Sequence, residues 1–343
     1  MPPLPFARTA AARREKMLHH SEERAVALRA VRRAAAACRR VQVTLAAGEA
    51  VQKKDRSPVT IADFASQALV CETLGAAFPD DPVVAEEDAA VLRGDATLRT
   101  RTRDVVREAM GRPLEDAELL SWIDRGSSPR PTTGRFWTLD PIDGTKGFLR
   151  GEQYAVALAL LDASGDLLLG VLGCPSLPDG RGGIGVLLAA VRGGGAVSLG
   201  AFRDEGEGRP VRVRDVTEPA ELRLCESVEP SHSDHATTAR IASILGIRAE
   251  PVRIDSQAKY ATVARGDADV YLRLPTRADY SERIWDHAAG ALVVQEAGGV
   301  VSDVAGRPLD FSKGEGLPVA CGVVAAPPAV HAAVVDAVRS ARG

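Results

Sequence analysis

Trp137-Thr138-Leu139-Asp140-Pro141-Ile142-Asp143-Gly144-Thr145 starts as a strand and ends as something tighter. The run from Phe136 to Leu139 is apolar and β-prone. Asp before Pro and Asp before Gly are common turn pairs, so a plain turn is the simplest account of the residues after Leu139. The other account is a cation site: two carboxylates three residues apart at a strand end can hold hard divalent ions through oxygen. Thr145 then stands at a helix start, where free backbone N–H groups and a hydroxyl suit an anion.

Outward from this stretch, 154–161 is apolar almost throughout and predicts another strand. Residues 167–172 continue the sheet after a turn at Ala163-Ser164-Gly165. A strand over 186–191 runs into Gly193-Gly194-Gly195, read as a hairpin turn because no Lys-Ser/Thr follows and no helix opens on it. Upstream, 22–47 carries Leu28, Val31, Ala35, Cys38 and Leu45 at helical spacing, predicting a long helix with a solvated arginine-rich face. A second helix spans 59–78, opened by Pro58 and Thr60. Pro82-Val83-Val84-Ala85 is a short strand ending on Glu86-Glu87-Asp88, and 89–130 is helical and charged. Downstream come a strand at 222–225, helices at 235–245 and 257–265, a strand at 269–274, a helix at 286–297, and strands near Val300 and Val319. Strands alternate with helices in both halves, which predicts an α/β (α+β layered) fold with two subdomains. The expected division is a tail over 1–20, an N-terminal unit over 21–180 and a C-terminal unit over 181–343.

A formal net charge of -3 on 343 residues gives no sign of a nucleic-acid or membrane surface. No apolar run approaches the roughly 20 residues that span a bilayer. The five cysteines are scattered without metal-type spacing and read as reduced thiols in a cytosol-like compartment. Residues 2–14 hold three Arg and no acidic residue, but only one Thr and no Ser. A cytoplasmic protein with an N-terminal tail is the expectation, with a plastid or mitochondrial address as the alternative.

Four acidic groups fall at element ends: Asp63, Glu86/Glu87, Asp140/Asp143 and Asp286. Each has a plain structural reading. Thr60 and Asp63 fit a capping box, Asp286 fits an N-cap, and Glu86 and Glu87 fit a solvated strand end. Together they point elsewhere, because element ends are where α/β folds build sites. Carboxylates gathered without a cation would raise one another's pKa at a cost.

Asp140-Pro141-Ile142-Asp143-Gly144-Thr145 with Trp285-Asp286-His287-Ala288-Ala289-Gly290 resembles the inositol monophosphatase superfamily of magnesium-dependent, lithium-sensitive phosphatases. Glu86-Glu87-Asp88 and Pro58-Val59-Thr60-Ile61-Ala62-Asp63 support this in the expected order. The residues 145–156, Asp255-Ser256-Gln257-Ala258-Lys259-Tyr260 and Ser231-His232-Ser233 are similar to the 3'(2'),5'-bisphosphate nucleotidases of the yeast and plant type.

The resemblance implies a sugar-phosphatase-type fold of alternating helix and sheet layers. It implies two or three Mg2+ ions on Glu86, Asp140, Asp143 and Asp286, with Ile142 acting through its carbonyl. Asp63 and Thr145 would orient and deprotonate the attacking water. His232 and Lys259 would hold a nucleotide together with Ser231, Ser256, Gln257, Thr145 and Asp286, and Arg150 would aid an anionic ligand. The implied reaction is removal of the 3'-phosphate of 3'-phosphoadenosine 5'-phosphate, with 3'-phosphoadenylyl sulfate as a second substrate, in sulfur metabolism. An inositol polyphosphate 1-phosphatase or an inositol monophosphatase-like sugar phosphatase is the alternative. The expected partner is a small nucleotide substrate, with no nucleic acid and no membrane, on a monomer or homodimer.

Overall fold

The computed structural model describes residues 20–46, 57–203, 206, 208–228, 235–275, 279 and 281–342. The tail expected over 1–20 lies almost wholly outside the described residues. Two long helices come first, α1 (Ser21–Ala46) and α2 (Ser57–Ala77), then β1 (Val83–Ala85). The charged stretch after β1 divides into α3 (Ala90–Gly94), α4 (Ala96–Met110) and α5 (Asp116–Asp124). Then come β2 (Arg135–Asp143), α6 (Thr145–Leu149), β3 (Ala155–Asp162), β4 (Leu167–Pro178), β5 (Ile184–Val191), β6 (Gly195–Gly200) and β7 (Arg209–Pro210). The rest comprises β8 (Leu224–Glu226), α7 (His235–Leu245), β9 (Val252–Arg253), α8 (Ala258–Ala264), β10 (Val270–Arg273), α9 (Ala288–Glu296), β11 (Val300–Ser302), β12 (Val323–Ala326) and α10 (Pro328–Arg342).

The first sheet runs β1-β2-β3-β4-β5-β6-β7 and the second β11-β12-β10-β8-β9. Because β5 and β6 pair with β4, the first sheet continues past residue 180, and the second begins at Leu224. Period-2 alternation sorts the strands between layers. In β3, Val156, Leu158 and Leu160 face α1 and α2, while Ala155, Ala157 and Ala159 face the helices between the sheets. In β10, Tyr271 joins that central layer and Val270 and Leu272 pack against α7 and α10. The layers therefore run helix, sheet, helix, sheet, helix. Small residues on the inner face let α9 approach: a Cβ on Gly170 would lie 2.8 Å from the Ala289 carbonyl oxygen.

α2 shows no single apolar stripe because apolar residues are covered on two sides, by α1 and the first sheet and by α3, α4 and α5. It begins at Ser57, so Thr60 and Asp63 lie inside the helix and the capping-box reading of that pair does not hold. The strand expected near Val319 lies instead at Val323–Ala326, between β10 and β11. Pro318 lacks an N–H, Ala320 and Gly322 have positive φ, and Val319 is exposed, so the chain turns before it can pair. All five cysteines are buried and free.

Candidate active site

Strand register assembles the acidic residues. β1 and β2 are parallel, with Ala85 opposite Leu139, so Glu86 and Asp140 leave the two strands side by side at their carboxyl ends. β2 pairs with β3 through Asp140↔Ala157 and then Asp143↔Ala155, three steps on one strand against two on the other. Residues three apart on a regular strand point to opposite faces, and this one-residue bulge returns Asp140 and Asp143 to a common side. Pro141, with no N–H to contribute to a ladder, is suited to that position. The Asp-Pro-Ile-Asp segment is thus a bulged strand end rather than a free turn.

Side chains of α2 hold the arrangement from behind. The Ser66 hydroxyl donates to the Pro141 carbonyl at 2.9 Å. Gln67 donates to the Glu87 carbonyl at 2.5 Å and accepts from the Glu87 N–H at 3.1 Å. Asp63, one turn earlier on the same helix, is buried, and burial followed by Glu87 and Glu86 raises its pKa well above the usual carboxylate range. It lies behind Asp140, whose own pKa it helps to raise, and it does not line the cavity.

A cavity of about 430 Å³ opens in front of these strands. Glu86, Asp140, Ile142, Asp143, Thr145 and Asp286 all line it. Burial, then Glu86, Asp143 and Asp286, push Asp140 well up, and its Oδ1 is buried without a hydrogen-bond partner among the described residues. Glu86 keeps an exposed face but has protein packed closely around its carboxyl, and this partial desolvation, then Glu87, Asp286 and Asp143, push it up to about 7. Asp286 is raised to about 6, chiefly by burial, with Asp143 adding and His287 opposing. Asp143 is raised by burial, against the pull of Lys259, the Gln257 N–H and Arg273. An orphaned buried carboxylate oxygen among all-oxygen donors fits a hard divalent cation. Among the described residues, Glu282, Asp286 and His287 also bring ligand atoms within 4.8 Å of one another. Glu282, however, gives both oxygens to the Arg273 guanidinium, which would repel an ion there.

A second part of the lining is cationic. Lys146, Lys259 and Arg273 form it with Ser256, Asp255, Tyr271 and His287. Lys259 is buried, its pKa lowered by burial and supported by Asp143, with its Nζ 5.2 Å from the Tyr271 ring centroid. The two walls meet where Gly144 (φ 90) touches Ser256 (φ 65): a Cβ on the glycine would lie 2.8 Å from the serine Cβ. The Gln257 N–H donates to Asp143 at 2.5 Å beside that joint.

Of the residues expected from sequence, the structure brings Glu86, Asp140, Ile142, Asp143, Thr145, Ser256, Lys259 and Asp286 to one cavity, with Asp63 behind them. Gln257 does not line it. Its side chain donates to the Trp285 carbonyl at 2.8 Å and accepts from the Gly290 N–H at 3.1 Å, tying α8 to α9. Arg150 does not line it either, being paired with Asp255 and Glu152. Asp286 is not an N-cap. It ends a 3-10 turn, Ile284–Asp286, and accepts from the Arg283 N–H at 2.8 Å. Ser231 and His232 lie outside the described residues. Arg273 was not foreseen, although a charge closing the apolar run Val270-Tyr271-Leu272 is the same element-end signal that marked the acidic residues.

The profile of the inositol monophosphatase family matches residues 17–342. The chain belongs to that family. Among relatives of this inositol monophosphatase family member, a "3'(2'),5'-bisphosphate nucleotidase" of Emericella nidulans is 44% identical over 94% of this chain and 99% of its own. A protein of the same name from Schizosaccharomyces pombe is 43% identical over 92% of this chain and 94% of its own. The solved inositol monophosphatase of Anabaena (Nostoc) sp. PCC 7120 superposes with a TM-score of 0.61 at 21% identity, covering 94% of this chain and 97% of the other, and shares the fold. The family member described here is accordingly a phosphatase. Among its described residues no helix is long and apolar enough to cross a membrane.

Proposed function

We propose that the chain removes the 3'-phosphate of 3'-phosphoadenosine 5'-phosphate, giving AMP and phosphate, and accepts 3'-phosphoadenylyl sulfate as a second substrate. The observation that carries this reading is the mixed lining of the cavity, in which the carboxylates are joined by Lys146, Lys259 and Arg273. The carboxylates suit a phosphate ester held through cations, and the cationic residues suit a second anionic group. The shared name of the relatives supports the same substrate.

Glu86, Asp140, Asp143 and Asp286, with the Ile142 carbonyl, would hold magnesium. Bound there, the ion neutralises phosphate charge and makes a nearby water more acidic. Asp63 lies behind Asp140 and does not line the cavity, so it would receive the proton of the attacking water only through a group that does, such as the Thr145 hydroxyl. The Thr145 hydroxyl, at the start of α6, directs that water. Lys259 and Arg273 hold the substrate anion, and Ser256 shapes the floor where the walls meet. Positioning and charge complementarity supply most of the acceleration in such a site.

Phosphate release from 3'-phosphoadenosine 5'-phosphate and from inositol 1,4-bisphosphate, with magnesium and with or without lithium, tests this. Preferred, lithium-inhibited turnover of the nucleotide is expected. A clear preference for the inositol substrate would overturn the assignment.

A further inference from the structure

Arg273 completes the cationic wall, but a neighbour outside the cavity fixes its direction. β10 ends on Arg273, and its Nε and Nη2 donate to Oε1 and Oε2 of Glu282, each at 2.9 Å. A two-pronged pairing of this kind sets the plane of the guanidinium and not only its distance. It leaves Nη1 outside the fork, on a side chain that lines the cavity.

Glu282 does not line that cavity; it is 7% exposed, packed behind the wall. Burial works against its charge, but His287 and Arg273 outweigh burial and hold the carboxyl at about 2. Its backbone is tied down on both sides. The Leu317 N–H donates to the Glu282 carbonyl at 2.8 Å, and the Ile284 N–H donates to the Glu315 carbonyl at 2.9 Å. The Ser281 hydroxyl donates to the Leu317 carbonyl at 2.5 Å. Oε2 also faces His287 Nε2 at 3.6 Å, and the other ring nitrogen, Nδ1, lies 2.8 Å from the Tyr260 hydroxyl.

Buried ion pairs add little net stability, because desolvation offsets much of their attraction. What this one supplies is geometry. The carboxylate is the fixed member, and the long arginine side chain is the member that it holds.

We infer that Glu282 is a positioning residue that aims Arg273 at the anionic group the enzyme does not hydrolyse, and so favours a bisphosphate over a monophosphate. This rests on the substrate reading proposed above. Removing the charge of Glu282 frees the guanidinium to swing, which weakens binding of the second anion and leaves the strand-borne carboxylates Glu86, Asp140 and Asp143 as they were.

Steady-state kinetics of Glu282→Gln on 3'-phosphoadenosine 5'-phosphate and on adenosine 3'-phosphate, both with magnesium, test it. KM for the bisphosphate is expected to rise about 10-fold while kcat changes less than about 3-fold, the loss of one charge-assisted hydrogen bond. KM for the monophosphate should move less than about 3-fold. In an Arg273→Lys background the same substitution should add almost nothing, because both act through one contact. An equal rise in KM on both substrates, a fall in kcat at constant KM, or full additivity with Arg273→Lys overturns the inference. Should Glu282→Gln fail to fold, Glu282→Asp keeps the charge and withdraws it by one methylene. A KM rise confined to the bisphosphate then supports the inference, and an unselective change rejects it. Wild-type enzyme inactive on both nucleotides rejects the substrate reading and this inference together; an active wild type with an unselective variant rejects the inference alone.

Discussion

The acidic wall of the cavity rests on backbone pairing, whereas the cationic wall rests on side chains that hold one another. Glu86 and Asp140 are placed by the parallel register of β1 and β2, and Asp143 by a single bulge against β3. In the cationic wall, Arg273 depends on Glu282, and Lys259 lies buried near Asp143 and over Tyr271. Backbone register is rigid, and a set of like charges placed by it stays together at a cost. A side-chain network can be retuned by one substitution. The chemistry should therefore depend on the first wall and the choice of substrate on the second.

The largest effect should come from separating those roles. Asp143→Asn is expected to lower kcat by about 10³-fold, since it removes a cation ligand and charge complementarity at the reacting phosphate. Lys259→Met is expected to raise KM about 10-fold with a smaller change in kcat. Parallel magnesium and substrate titrations of both variants measure the contrast. Full-rate turnover by Asp143→Asn would remove the acidic wall from the chemistry, and a kcat defect in Lys259→Met would erase the distinction between the walls.

A smaller effect is expected where the walls touch. Gly144 has φ 90 and lies against Ser256, so Gly144→Ala is strained both by its backbone and by the 2.8 Å approach. The destabilisation should be about 1–3 kcal/mol. Displacing one wall against the other should lower kcat/KM by about 10-fold or more. Denaturant unfolding and kinetics on the same preparation check both. A loss of stability with kcat/KM intact would show that the two walls work independently.

The acidic wall was largely legible in the sequence and the cationic wall was not, for a physical reason. Strand ends and their carboxylates follow from local pattern: apolar alternation up to Leu139, Pro141 where a ladder N–H is dispensable, and Glu86 directly after Val83-Val84-Ala85. The layered α/β class follows from strands alternating with helices along both halves of the chain. The bulge did not show, because Asp-Pro and Asp-Gly also describe a turn, and only pairing with Ala155 and Ala157 distinguishes the two. Thr60 and Asp63 misled for a related reason. Capping chemistry is local, but α2 starts three residues earlier, at Ser57, which puts both residues inside the helix. Gln257 looked polar and available, yet its amide links Trp285 and Gly290 across 28 and 33 residues of sequence. Arg273 and Glu282 needed the second sheet and the 281–284 segment to be placed together before their pairing could appear.

The smallest effect concerns the resting charge of the acidic wall. Glu86 and Asp286 have folded-state pKa values raised to about 7 and about 6, mainly by burial and by neighbouring carboxylates. An acid whose pKa is raised on folding binds its proton more tightly when folded, so it favours the folded state at low pH. That contribution is lost as pH climbs from the unfolded value through the folded one. Metal-free protein should accordingly lose thermal stability between about pH 5 and pH 7.5. Below that window the trend reverses as Glu282, held at about 2 by His287 and Arg273 against burial, begins to take up a proton. The change in Tm should be modest, about 2–5 °C, because Glu86 keeps an exposed face and its repulsion is screened. Magnesium should flatten the slope, since a cation among these groups favours their ionised forms and offsets their repulsion. Calorimetry across pH with chelator and with magnesium measures both slopes. Identical slopes would mean that the acidic wall does not hold the ion, and a rising stability in chelator would mean that its carboxylates are not strained against one another.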